Sequence, residues 1–223
     1  SWSVAYNFSN SILRLLANFV CVFMYSTKQQ GDELIDWLKD RLHLPLPGAS
    51  AHEKMIGRVV PMPVAVPTDA RPSAVLILLY PHEDQLHLLL IKRTEDGRAH
   101  SGQISFPGGR QDPGDADLRA TALREANEEV GIMSADVDIL GQLTPLYIPV
   151  SNFLVYPFVA FSRERSDYSL SASEVSYVLE VPLNAITDPK SKTQATVNSP
   201  ADPTFVRQVN AYRLTSGAIV WGA

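Results

Sequence analysis

A chain of 223 residues with 45% apolar and 19% charged residues is long enough for one core domain with extensions, and is neither a disordered chain nor a solenoid. Its formal charge of -5 weighs against a surface that coats nucleic acid, so an anionic partner would have to be small and met locally by arginines or metal ions. The single cysteine, Cys21, excludes an intrachain disulfide and a Cys-rich zinc site, and makes a reducing, cytoplasmic setting the expectation.

Residues 1–26 stand apart. Ile12 to Tyr25 is strongly apolar, yet it carries Arg14 and Asn18 and falls short of the roughly 20 apolar residues that a bilayer span needs. No basic segment precedes it and no small-residue cleavage site follows, so neither a membrane span nor a signal peptide is expected. The reading is a leader foreign to the folded domain with Met24 as the true start, a packed helix or a targeting segment being the alternatives. Deleting Ser1 to Phe23 is then expected to leave activity and thermal stability nearly unchanged.

Residues 27–72 read as an N-terminal helix and a connector. Leu34, Ile35, Leu38 and Leu42 lie at helical spacing within Asp32 to Leu42, and Pro45 and Pro47 end that helix. The Pro-, Gly- and Ala-rich stretch from Leu44 to Pro72 follows as a surface connector. The main domain, residues 73–223, opens with Ala74 to Tyr80 and Leu86 to Lys92, two apolar runs of strand length that predict a hairpin. A loop from Arg93 to Gly114 leads into a helix over Asp117 to Val130, with Leu123, Ala126 and Val130 on its buried stripe and Gly131 as its cap. Further strands are expected over Val137 to Leu143, Phe153 to Phe161, Val175 to Val181, Phe205 to Leu214 and Ala218 to Trp221. The sum is an α/β fold, a mixed sheet sandwiched by helices, without the glycine turn of a dinucleotide-binding fold.

The chemistry concentrates on the middle helix. At 100 degrees per residue Glu125, Glu128 and Glu129 fall within about a third of the circumference, so three carboxylates share a stripe. Like charges at this spacing destabilise a helix and invite a counter-charge, which Arg124 supplies only in part. Hard divalent ions such as Mg2+ or Mn2+ prefer carboxylate oxygen and suit such a stripe. Alone, the stripe is more often a solvated helix face. Upstream, Phe106 to Gly109 (FPGG) sets two glycines where backbone must approach another group, able to present a carbonyl to a metal or an amide to phosphate.

Together, Gly109 to Ile132 (GRQDPGDADLRATALREANEEVGI) resembles the signature of the Nudix family, G-x5-E-x7-R-E-U-x-E-E-x-G-U with U apolar. Its second half agrees at every specified position. The first half is one residue longer: counting back from Arg124 reaches Ala116, and counting forward from Gly109 reaches Asp115, where the family usually has Glu. A second stretch, Leu89 to Gly109 (LLIKRTEDGRAHSGQISFPGG), is similar to the pattern L-L-T-x-R-x4-R-x3-G-x3-F-P-G-G of the coenzyme A pyrophosphatase branch, departing at Ile91. That branch commonly carries the longer box. A weaker likeness extends through Glu174 to Leu183 and Ile219 to Gly222; the final helix that follows such a segment in the family is not expected within these 223 residues.

The resemblance implies a Nudix fold and metal-assisted hydrolysis of a pyrophosphate bond in a nucleoside diphosphate derivative, with coenzyme A split into 3′,5′-ADP and 4′-phosphopantetheine. It implies Glu125, Glu128 and Glu129 as metal ligands on an exposed helix face, with Gly109 contributing its backbone and Mg2+ or Mn2+ as the cofactor. Glu174 is implied as a further ligand or general base, with an exposed strand-edge charge as the alternative. Arg93 and Arg98, with Gly108 and Gly109, are the substrate-binding candidates. For Arg93 a fold-stabilising ion pair is an equal reading. His100 is left outside the catalytic set, and Tyr147, Phe153 and Tyr156 offer rings that fit either adenine stacking or sheet packing. Hydrolysis of ADP-ribose or another dinucleotide, and a nucleotide-binding module without catalysis, are the alternatives. The expected partner is a small-molecule nucleotide, with no nucleic acid or membrane, and a homodimer is left open.

Overall fold

The computed structural model describes residues 28–48, 52, 65–95, 102–149, 151–198 and 206–221. The leader and the residues Arg98 and His100 lie outside the described residues. Among the described residues no helix is long and apolar enough to cross a membrane.

Strands β1 (Arg71–His82) and β2 (Gln85–Arg93) form the expected hairpin, longer than the apolar runs at both ends. Glu83 and Asp84 turn the chain at φ values of 48° and 56°, the two-residue turn whose twist matches paired strands. Pro81 and His82 thereby enter the ladder opposite Leu86 and Gln85. At its other end β1 starts at Arg71, because Arg71 and Pro72 already pair in parallel with Phe153 and Leu154 of β7 (Phe153–Phe161). The boundary expected at residue 73 therefore falls inside a strand.

The stretch from Arg93 to Gly114, expected as loop, is partly sheet. β1 and β2 pair with each other only from Leu79 to His82, and the space beyond is filled by two short strands. β3 (Ile104–Ser105) pairs with β2 at Ile91 and Lys92, and β4 (Gly108–Arg110) pairs with β1 at Ser73 to Val75. The glycine pair is thus built into the sheet. Around this centre the strand order is β3-β2-β1-β7-β5, with β5 spanning Asp138–Gln142, β6 (Leu146–Ile148) on β7, and β8 (Val175–Pro182) on β2. The β1–β7 pair is parallel and the other described pairs are antiparallel, which makes the sheet mixed.

Side chains alternate across the sheet and both faces are covered. Ala74, Leu76, Leu78 and Tyr80 meet Ala122, Ala126 and Val130 of helix α2 (Leu118–Val130), while Ile77 and Leu79 belong to a second core with Leu34, Ile35, Leu38 and Leu42 of helix α1 (Lys28–His43). Covering both faces explains why these strands read as continuous apolar runs instead of alternating ones. Each fully buried Leu or Ile contributes roughly 1.5 to 3 kcal/mol, so α1 is a substantial part of the fold. A short helix α3 (Leu183–Thr187) precedes a separate antiparallel sheet of β9 (Lys192–Asn198), β10 (Val206–Arg213) and β11 (Ile219–Trp221).

Candidate active site

Helix α2 is placed by its ends. The Asp117 side chain accepts the Ala120 N–H at 2.7 Å, and Gly131 at φ 78° turns the chain out of the helix with its N–H donating to the Asn127 carbonyl at 2.8 Å. Between these caps the buried alanines, Ala122 and Ala126, let α2 lie close on the sheet and bring its acidic side to the glycine pair.

Both glycines are closely approached, Gly108 by backbone and Gly109 by a side chain. A Cβ on Gly108 would stand 2.3 Å from the Ala74 carbonyl oxygen, and one on Gly109 would stand 2.5 Å from the Glu125 carboxyl. The Gly108 N–H donates to Glu129 Oε2 at 2.9 Å, while Arg93 Nη1 reaches Glu129 Oε1 at 2.9 Å. Glu129 is only 1% exposed, so the expected exposed helix face does not hold for it. That carboxylate faces inward because an amide and a guanidinium await it there. Burial pushes its pKa up to about 7, the Gly108 amide and Arg93 oppose the rise, and the charges of Glu125 and Glu174 add to it.

Glu125 also has a raised pKa, first from burial, against Arg124, and further from the charges of Glu128 and Glu174. Arg124 Nη1 lies 3.0 Å from Glu125 and 2.9 Å from the more exposed Glu128. Its other side grips Asp115, with Nε and Nη2 at 2.9 and 3.0 Å from the two carboxylate oxygens. Asp115 also accepts the Asp112 N–H and the Thr121 hydroxyl, each at 2.9 Å. The Arg124 guanidinium holds the Asp115 carboxyl far below the usual carboxylate range. Asp115 was not among the site residues expected from sequence, although counting forward from Gly109 reached it: its carboxylate anchors the arginine that ties Glu125 to Glu128.

Glu174 comes to the same place from the other side. Its N–H donates to the Ser171 carbonyl at 2.9 Å, its carbonyl accepts the Thr94 N–H at 3.0 Å, and its charge acts on Glu125 and Glu129. The structure thus brings Glu125, Glu128, Glu129, Glu174, Gly108, Gly109 and Arg93 together. Arg93 is engaged by Glu129, the ion-pair alternative of the sequence reading. Of the three aromatic candidates, Tyr147 donates its hydroxyl to Asn152 at 2.9 Å and Phe153 lies under the Arg71 guanidinium at 4.3 Å. Tyr156 shares a row with Ala74 and Gly109 and packs against the core beneath α2.

Among the described residues no group of three or more His, Cys, Asp or Glu side chains stands ready to enclose a metal ion. Arg124 and Arg93 hold the carboxylates instead. Five carboxylates (Asp115, Glu125, Glu128, Glu129, Glu174) face two guanidiniums (Arg93, Arg124), a formal excess of three negative charges. Oxygen donors with such an excess are the donor set that a hard divalent cation fits.

The burial of Glu129, with the neighbouring charges adding to it, predicts a pH dependence. The folded pKa of Glu129 lies above its ordinary 4.5, so the associated stability is present below that value and lost as pH rises through about 7. The melting temperature in chelator should fall between about pH 5 and 8, with Mg2+ restoring it at the alkaline end by binding the folded state. Asp115 acts in the opposite sense, near and below its ordinary 3.8. A melting temperature that climbs steadily from pH 5 to 8 in chelator would contradict this account.

A family model of the NUDIX domain matches residues 70–198, which contain every strand and helix that builds this site. The chain belongs to the Nudix family. It is 40% identical over 123 residues to a protein of Yersinia enterocolitica named uncharacterized Nudix hydrolase NudL, covering 55% of this chain and 62% of that one. A protein of the same name from an Enterobacter species is 46% identical over 114 residues, covering 51% and 58%. The chain thus spans about three fifths of the length of these curated relatives. Among solved structures, a Caenorhabditis elegans Ap4A hydrolase in a binary complex aligns at 21% identity and a TM-score of 0.44, covering 50% of this chain and 80% of its own. The NUDIX domain of Shewanella oneidensis NrtR, complexed with ADP ribose, aligns at 20% and 0.42, covering 52% and 75%. At these scores family membership rests on the match to the family model. The Nudix domain places its signature helix as α2 and the signature's first glycine, Gly109, in β4.

Proposed function

We propose that this Nudix domain is a metal-dependent hydrolase of a pyrophosphate bond in a nucleoside diphosphate derivative, with coenzyme A as its substrate and 3′,5′-ADP and 4′-phosphopantetheine as products. The observation that carries the reading is Glu125 at Gly109 and Glu129 at Gly108, with Glu128 beside them on Arg124, the charge of Glu174 acting on Glu125 and Glu129, and too few guanidiniums to neutralise the four. Mg2+ or Mn2+ would be held by Glu125, Glu128 and Glu129 together with the Gly109 carbonyl. Such an ion, when bound, lowers the pKa of water and neutralises phosphate charge.

The chain's own groups set the stage for attack on phosphorus. Arg124, anchored on Asp115, keeps Glu125 and Glu128 side by side despite their repulsion. Arg93 and the Gly108 amide fix Glu129 and lock β4 to α2, leaving little rotational freedom at the site. Glu174 would accept a proton from water as general base, or serve as a further ligand. Coenzyme A is favoured over other pyrophosphates by the stretch from Leu89 to Gly109, which the glutamate helix cannot do because its chemistry is indifferent to the group beyond the phosphates.

Arg98 belongs to that stretch, and its replacement tests the substrate reading. Arg98→Ala should reduce kcat/KM for coenzyme A more than for ADP-ribose, by about tenfold to a hundredfold in the ratio, as a lost charge-assisted contact implies. Equal losses would assign Arg98 to general phosphate binding. A wild-type protein that cleaves ADP-ribose much faster than coenzyme A would defeat the substrate and leave the pyrophosphatase.

A further inference from the structure

The segment between β7 and β8, residues 162–174, ends at Glu174 and makes no use of regular structure to get there. It is fastened at two places. Near the site, the Ser169 and Ser171 N–H groups donate at 3.0 Å to the carbonyls of Val130 and Glu129, two of the carbonyls that the end of helix α2 leaves without helical partners. Thr94, directly after β2, holds the same segment with its N–H on the Glu174 carbonyl and its hydroxyl on the Ser173 carbonyl, both at 3.0 Å. Gly131 makes the contact close: a Cβ there would stand 2.9 Å from Ser169 Cβ.

Away from the site, the segment is pinched at its base. Arg165 binds Glu180 of β8 with two nitrogens at 2.7 and 2.8 Å, and its guanidinium lies 5.2 Å above the Tyr168 ring. Glu180 also accepts the hydroxyl of Tyr80, which is 1% exposed, at 2.9 Å. A carboxylate that joins a bidentate guanidinium to a buried phenol is a rigid anchor, since each partner fixes the others.

Resting on the hydrolase reading above, we propose that residues 162–174 form a strap, with Arg165 and Glu180 as positioning residues that hold Glu174 against the glutamates of α2. Arg165 touches none of the site's carboxylates. Its effect on turnover passes through the place of one side chain, and this separates it from a residue that only stabilises the fold.

The test is a double-mutant cycle on the full chain with coenzyme A and Mg2+, combined with hydrogen exchange. Arg165→Met should lower kcat about tenfold with KM within about twofold, and Arg165→Lys should recover part of the loss. In a Glu174→Gln background, Arg165→Met should cost less than about twofold, because the two changes act through one group. Amides of residues 169–175 should exchange about tenfold faster in Arg165→Met while those of α2 up to Glu128 keep their protection. Thr94→Val, which removes one hydroxyl contact, should give a smaller shift of the same kind and serves if Arg165→Met does not fold. Equal losses in both backgrounds, or unchanged exchange over 169–175, would overturn the strap. If the wild type does not hydrolyse coenzyme A, the functional reading fails separately and the exchange of 169–175 still decides whether Arg165 holds the strap.

Discussion

Replacing Glu125 by Gln is expected to lower kcat about a thousandfold while leaving the melting temperature unchanged or raised, the loss being that of several kcal/mol of charge stabilisation at phosphorus. The two effects have one cause. Glu125 is half-buried beside Glu128 and within the field of Glu174, with its pKa raised by burial and by those charges, so its ionised form is a burden on the folded protein. A neutral amide of the same shape relieves that burden and removes the anionic oxygen facing Gly109. Glu129→Gln should reduce turnover similarly; the amide relieves a buried anion but gives up the ion pair with Arg93, so the variant should lose the fall in melting temperature expected of the wild type between about pH 5 and 8. Turnover assays beside thermal melts decide the matter. Near-native rates in Glu125→Gln would remove this carboxylate from the mechanism, and a large fall in melting temperature would make it a structural residue.

The second large effect is on stability. Gly108→Ala is expected to destabilise the domain by about 3 kcal/mol or more, because overpacking is tolerated only where neighbours can move. Here the obstacles are the Ala74 carbonyl oxygen at 2.3 Å and the Val75 Cα at 2.7 Å, both backbone of the central strand. Its neighbour should behave differently. At Gly109 the obstacle is the Glu125 carboxyl, the end of a side chain that can swing away, so Gly109→Ala should keep most of the stability and lose activity as that carboxylate is displaced. Chemical denaturation of the two variants, with turnover measured on each, separates them. A Gly109→Ala variant with normal activity would show that the place of Glu125 is unimportant.

Much of this arrangement was legible in the chain because its main elements carry strong local signals. The α2 stripe, its Asp117 and Gly131 ends and the two apolar strands each announce themselves by periodicity or by a residue with a single conformational use. β3, β4 and β6 escaped notice because two or three residues cannot show a period, and β9 because Lys192 to Asn198 (KTQATVN) lacks an apolar run. β1 begins ahead of its apolar run for a related reason: Pro72 reads as a breaker, yet its partner strand β7 lies far along the chain. At the site, the stripe of glutamates was legible in the chain, but not which way each of them faces. Glu129 sits one residue after Glu128 on the same stripe, and only the fold shows that Arg93 and the Gly108 amide draw it inward. Asp115 needed a count of spacing together with the position of Arg124 before its role as an anchor could appear.

The most direct measurement of the central claim is product formation from coenzyme A by the purified chain, followed by mass, in Mg2+, in Mn2+ and in excess chelator. The account predicts 3′,5′-ADP and 4′-phosphopantetheine in equal amounts with either metal and neither product in chelator. Full activity in chelator, or no cleavage of coenzyme A, ADP-ribose, NADH or a nucleoside triphosphate in either metal by a folded protein, would contradict it.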